Sequence, residues 1–407
     1  MPTVGRAATH RPARDATDRV PRRILPAIAL SQFAGTSLWF AINAVLPDLQ
    51  RNAALSDAAA GWLTASVQLG FIAGTFVFAL FAVADRYPPA RVFLACSLLG
   101  AALAVACALL PPQLPELIGL RFLTGVCLAG IYPVGMKIAA GWYAGGLGAA
   151  LGVLVGALIL GTAAPFALRA IGTQWPWESV LLAVAALAAA GGVLMVAAVP
   201  DGPHLGRAGR MSPRALAVIW TDSRVRASAL GYFGHMWELY AFFVLLPLIV
   251  ARRASGATAH WWVFAAIAMG ALGCVGGGLL VRRFGGARVA GFQLLCGAAC
   301  AIVSPWLLDA PLAWWAAWLL LWGMTVSGDS PQFSALTARN TPREWVGSVL
   351  TFVNGIGFSV SVLTIGAFSW LASIRPLGAV LPWLAAGPLL GWIALAPLRR
   401  AELAAHG

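Results

Sequence analysis

Lysine is almost missing from this chain: Lys137 is the only one among 27 basic residues, and acids number just 14. Charged residues make up 10% of the sequence, against roughly 25% in a soluble domain. A soluble fold of 407 residues, 60% of them hydrophobic, could not hide so much apolar surface, so that class is excluded. Paired metal-type cysteines are also missing. Cys96, Cys107, Cys127, Cys274, Cys296 and Cys300 all fall in apolar runs without a CxxC pair, which offers neither a disulfide framework nor a metal site. Phosphate loops and nucleophile elbows are absent, so the sequence calls for no cofactor and no ATP hydrolysis.

What the chain has in quantity is long apolar runs, with a mean hydropathy of +0.83. The runs last about 20 residues, twice the length a barrel strand needs, so they read as membrane-crossing helices. Twelve are expected, at about 24–46, 58–82, 91–110, 115–139, 147–170, 177–199, 227–250, 260–281, 287–308, 312–334, 346–373 and 378–398. The fold class is therefore all-α integral membrane, with twelve transmembrane helices in two pseudo-symmetric six-helix bundles. The expected division is a disordered cytoplasmic tail at 1–23, bundles at 24–199 and 227–398, a cytoplasmic linker at 200–226 and a tail at 399–407.

The net charge of +13 is an orientation signal and not a footprint for nucleic acid. With the N-terminus inside, 21 of the 27 basic residues fall in cytoplasmic segments, five lie opposite, and Arg121 lies within a span. Both termini are then cytoplasmic. Arginine and alanine richness points to a bacterial inner membrane, with lipid as surroundings and the protein acting as a monomer.

The halves repeat in register. Residues 84–91 (ADRYPPAR) lie over 281–288 (VRRFGGAR), Leu46-Pro47 over Leu246-Pro247, Gly130 and Pro133 over Gly328 and Pro331, and Gly148 and Gly156 over Gly347 and Gly355. The offset stays near 200 residues, as duplication requires.

On these residues the chain resembles the major facilitator superfamily across 24–398. The loop signature of that family, Gly, three residues, Asp-Arg, one residue, Gly, then basic residues, survives in both copies. The first keeps Asp85, Arg86 and Arg91, with Phe81 and Pro88 at the glycine positions; the second keeps Gly278, Arg283, Gly285 and Arg288, with Arg282 in place of the acid. The resemblance implies a gate in which the loop acid docks on the start of span eleven. Thr341-Pro342-Arg343-Glu344 reads as a helix cap that would expose those amides to Asp85. A second signature, Arg-xxx-Gly in span four, matches Arg121 to Gly125. The span-five proline-glycine signature of drug–proton antiporters is absent, and YPVGMK and GDSPQFSAL look closer to nitrate, nitrite or cyanate permeases.

Ionisable groups inside spans are costly, about 2.5–3.5 kcal/mol each at mid-helix, and so face a cavity or a partner. Four stand out. Glu238 lies near the midplane, about 18 Å along the helix from Val250, with His235 three residues earlier on the same face. The pair reads either as a proton-coupling acid with its relay or as a structural bond. Arg121 offers a fork to an anionic substrate, to Glu238 or to a structural partner. Asp329, beside Pro331 and Gln332, serves coupling or the inner gate, or is a solvated acid at the interface. Uncharged stripes add Gln32, Thr36, Trp39 and Asn43 in span one, Thr351, Asn354, Phe358 and Ser361 in span eleven, and Tyr132 on the face of Arg121. Each stripe lines a cavity or bonds helix to helix.

The expected function is a secondary transporter, with a small organic or inorganic anion moved by proton-coupled alternating access. The alternatives are a proton-coupled exporter of apolar or cationic compounds and, further off, an intramembrane enzyme using Glu238 and His235.

Overall fold

The computed structural model describes residues 20–53, 57–143, 147–205 and 212–404. Most of the expected N-terminal tail, to residue 19, lies outside the described residues, as do 206–211 of the linker and 405–407. Among the described residues every regular element is helical. Eleven helices among the described residues are long and apolar enough to cross a membrane. Spans one to six cover Ile24–Asn52, Gly61–Leu80, Pro89–Leu109, Leu114–Trp142, Leu147–Ile171 and Trp177–Ala198. Spans seven, eight, nine, eleven and twelve cover Ser223–Ala251, Gly256–Phe284, Gly286–Leu307, Arg343–Ile374 and Leu377–Ala394. Span ten is built from two shorter helices, Leu312–Gly328 and Ser330–Asn340, and completes two pseudo-symmetric bundles of six. Apolar side chains also cover the outside, Trp306 and Leu363 each being 72% exposed, a surface that only lipid can solvate.

The duplication shows in where helices break. Span four breaks at Gly130-Ile131 and resumes at Tyr132, with Pro133 in its first turn. Span ten breaks at Asp329 and resumes at Ser330, with Pro331 in the same place. Proline has no N–H to donate and fits a first turn, so the repeated Gly-x-x-Pro dictates both breaks. A side chain at Gly130 would sit 2.2 Å from the Cys96 sulfur, which keeps that corner small. Span one is interrupted too, between Thr36 and Ala41. There the hydroxyls of Thr36 and Ser37 donate back to the carbonyls of Gln32 and Ala34, at 2.8 and 2.6 Å. Such back-bonding competes with the helical ladder.

Span seven begins at Ser223, four residues before the expected 227, because the Asp222 carboxylate accepts the amides of Arg224 and Val225 (2.8 and 3.0 Å). A short helix, Arg214–Thr221, occupies part of the expected linker, and Ala396–Ala404 is helical where a tail was expected. The cap read at Thr341 is not formed. Its hydroxyl donates to the Thr337 carbonyl (2.7 Å), and a 3-10 turn, Arg343–Trp345, precedes the helix that starts at Val346.

Span five packs on span eight and span two on span eleven, joining the halves. A Cβ on Gly61 would touch Ser369 at 3.0 Å, and one on Gly156 would reach Ala271 at 3.7 Å. Gly148 and Gly152 at the start of span five and Gly347 at the start of span eleven have open space around them. The halves thus separate at the end that carries Asp85 and close at the end that carries Asp48. Near the closed end Asp48 pairs with Arg169 (3.0 Å), and Phe40 meets Phe243 edge-on at 5.8 Å across the halves.

Candidate functional site

Spans four, five, seven, ten and eleven meet in a central chamber. Its wall is aromatic: Tyr132, Tyr232, Tyr240, Phe243 and Phe358. The polar groups facing it are hydroxyls and an amide, from Thr162, Ser327, Ser330, Ser334 and Asn354. Trp39, next to the interruption in span one, stacks on Tyr240 and Phe358 at 6.1 and 5.9 Å, and Phe71 closes on Phe358 at 4.5 Å. Offset-stacked rings at such separations attract one another beyond their burial. The remaining cavity is about 40 Å³, enough for a few waters and no solute, so the rings must part to admit one. The Trp39 indole N–H has no partner among the described residues.

Behind Tyr232 lies the acid–base pair. The Nδ1 of His235 stands 2.7 Å from an Asp329 carboxylate oxygen, and both side chains are almost wholly buried. Tyr232 and Phe333 flank the imidazole at 5.8 and 6.1 Å. Asp329 is placed by the break in span ten, and Ser327 and Ser330 on either side of it face the chamber. Gln332, its amide oriented to fit, donates to the carbonyls of Gly328 and Asp329 at 2.9 and 3.2 Å and accepts from Gly278 N–H at 3.3 Å. Nε2 of His235 is buried without a partner among the described residues. A proton on the pair therefore has one fixed resting place and one unused ring nitrogen.

Glu238 parts company with His235. Its carboxylate accepts the Trp322 indole N–H at 2.6 Å and lies against Gly297, where a Cβ would stand 2.7 Å from it. Trp322 is itself packed on Phe242 and Trp318 at 4.6 and 5.4 Å. The acid thus faces spans nine and ten, behind the chamber wall. Nothing in the spacing around Glu238 pointed to Trp322, one of eighteen tryptophans.

Arg121 does not reach Glu238 either. Its Nη1 donates to the Leu38 carbonyl at 2.9 Å and its Nη2 to the Trp39 carbonyl, satisfying backbone that the interruption of span one leaves open. The guanidinium is 3% exposed and pairs with no carboxylate among the described residues. Asn43 donates to Thr64 at 2.7 Å and ties span one to span two, away from the chamber, whereas Tyr132 and Asn354 do line it.

At the open end, a cavity of about 190 Å³ separates Asp85 and Lys137 from Gly347, Ser348 and Thr351 in the first turns of span eleven. Asp85 pairs with Lys137 across 2.5 Å, and Lys137 also donates to the Ala84 carbonyl. Arg86, Arg91, Arg282 and Arg283 are exposed. Gly285 adopts φ +88°, and the Glu402 carboxylate from the last helix fills the space beside it. Glu402 accepts the amides of Ala287 and Arg288, both at 3.0 Å, capping span nine in the loop whose own acid is replaced by Arg282. Glu402→Ala should cost about 0.5–2 kcal/mol, as loss of a helix cap does, and a lower melting temperature of the purified protein checks this.

The sequence profile of the Major Facilitator Superfamily matches residues 28–365. No curated protein matches the sequence. Among solved structures, the human organic anion transporter MFSD10 (TETRAN) superposes with a TM-score of 0.72 at 14% identity, over 92% of this chain and 99% of that one. The proton:xylose symporter XylE, solved with 6-bromo-6-deoxy-D-glucose, gives 0.70 at 14% identity, over 91% and 94%. At such identities the likeness is one of fold. With its profile covering most of the sequence and its two bundles of six, the chain belongs to the major facilitator superfamily and is a secondary transporter of that type.

Proposed function

We propose that the protein carries small ring-bearing solutes, neutral or cationic, in exchange with or alongside protons. The observation that supports this most is the composition of the chamber: five aromatic rings, aliphatic side chains, a few hydroxyls and an amide, with no arginine or lysine on its wall among the described residues. Aromatic faces attract cations and stack on rings, and offer little to a compact anion. The His235–Asp329 pair, one ring behind the chamber, is the proposed coupling site, because parting Tyr232 from its neighbours would join the two. The halves, 24–199 and 227–398, are the proposed rocking bodies. The charge bias supports a cytoplasmic Asp85 end, both termini inside and a bacterial inner membrane. Lipid surroundings and a monomeric state complete the reading.

A second reading keeps the anion, and with it the nitrate- or cyanate-permease likeness. It rests on the Arg121 Nε–H, buried without a partner among the described residues. In a state open at the Asp48 end, that donor would meet an anion. Thermal stabilisation of purified protein separates the two. Neutral and cationic aromatic compounds should raise the melting temperature, while nitrate, cyanate and small carboxylates leave it unchanged; the reverse pattern would establish the anion reading. Arg121→Ala leaves two buried carbonyls without a donor, at about 1–3 kcal/mol each. On the first reading it lowers stability with the ligand pattern intact.

A further inference from the structure

A groove open to lipid runs along spans eight, nine and ten and shares no residue with the central chamber. It encloses about 470 Å³. Gly273, Gly276 and Gly277 form its floor, and a Cβ at Gly276 would meet nothing within 4 Å. Leu272 and Phe292, 61% and 67% exposed, form its lips. From Leu272 to Phe284 the groove follows span eight for about 18 Å. Half of a hydrocarbon core of about 30 Å is of similar length, so one acyl chain of one leaflet fits along it.

The two ends differ in chemistry. At the Asp85 end the Arg288 guanidinium lies 6.0 Å from the Phe284 ring, and that of Arg283 lies 5.2 Å from the same ring. Neither makes an ion pair among the described residues, and Arg282 adds a third charge on the same turn. Gln293, more than a turn deeper, lines the groove, is 8% exposed and donates from Nε2 to the Gly273 carbonyl of the floor at 3.2 Å. The polar ester region of a lipid whose phosphate is held by Arg288 would lie at its depth, about 7.5 Å along the helix.

We propose that this groove is a binding site for one anionic phospholipid, its phosphate on Arg288 and one acyl chain on the glycine floor. Basic pockets between membrane helices recognise lipid head groups in this way. Native mass spectrometry of the full chain, titrated with phosphatidylglycerol or phosphatidylcholine of identical chains, tests it. One phosphatidylglycerol should be retained at concentrations at least tenfold lower than phosphatidylcholine. Arg288→Gln should erase that preference and Arg288→Lys should keep most of it. Gly276→Phe, which fills the groove, should remove the tightly held lipid of either kind, while its melting temperature in lipid-free detergent matches the wild type. Equal retention of the two lipids by the wild type, unchanged retention in Gly276→Phe, or displacement by millimolar inorganic phosphate alone would overturn the proposal.

Discussion

Asp329→Asn will abolish solute accumulation driven by a pH gradient in proteoliposomes, by at least 100-fold, while solute exchange at equal pH on both sides persists. The amide keeps the shape of the carboxyl and can still accept from His235, so packing at the break of span ten is preserved. What it loses is the ability to take up and release a proton. Exchange needs only the rocking of the bundles around a loaded chamber; net proton-driven accumulation needs a titrating group that the rocking exposes to one side and then the other. Glu238→Gln is the companion measurement. Its amide still accepts from Trp322, and the site faces spans nine and ten, so pH-driven transport should fall less than threefold. If the two substitutions exchange these outcomes, coupling lies with Glu238, and the Trp322 bond must open during the cycle.

Gly125→Val will prevent recovery of folded protein, read as loss of the monodisperse peak in size-exclusion chromatography. A Cβ on Gly125 would stand 2.1 Å from the Val67 carbonyl oxygen, and one on Gly70 would stand 1.8 Å from that of Phe122. Both obstacles are backbone, so no rotamer relieves them, and spans two and four must move apart along their length. Overpacking of this kind lies at or above the top of the usual range of about 1–3 kcal/mol. Gly119→Val, on the same helix where nothing stands within 4 Å, is the control and should behave as wild type. The Arg-xxx-Gly motif thus divides its labour. The arginine satisfies the interrupted span one, and the glycine admits span two.

The features legible in the sequence were those carried by local chemistry. Apolar length marked the spans, and the repeated Gly-x-x-Pro marked the duplication, although the breaks it makes in spans four and ten came only with the structure. His235 and Asp329 stood out as buried ionisable groups, yet their meeting joins residues 94 positions apart. Partners without a distinctive side chain escaped altogether. Arg121 bonds two carbonyls, which look alike in every residue, and Glu402 bonds two amides for the same reason. The His235–Glu238 stripe misled because three residues on a helix are neighbours only to within about 60°. That angle was enough to send one side chain to Asp329 at the break of span ten and the other to Trp322 and Gly297 behind the chamber wall.

The guanidinium of Arg121 has a consequence beyond holding span one together. It keeps its charge in every state, and around it are carbonyls and apolar walls, with no carboxylate paired to it among the described residues. The aromatic plug beside it stops solutes by bulk, but bulk is a poor barrier to protons, which need only a file of waters a few ångströms wide. A fixed positive charge next to that file raises the energy of a hydronium there more than that of a neutral solute. In the proposed proton-coupled cycle the closed side would be sealed twice, against molecules by rings and against leak by charge, leaving the proton gradient to the His235–Asp329 pair.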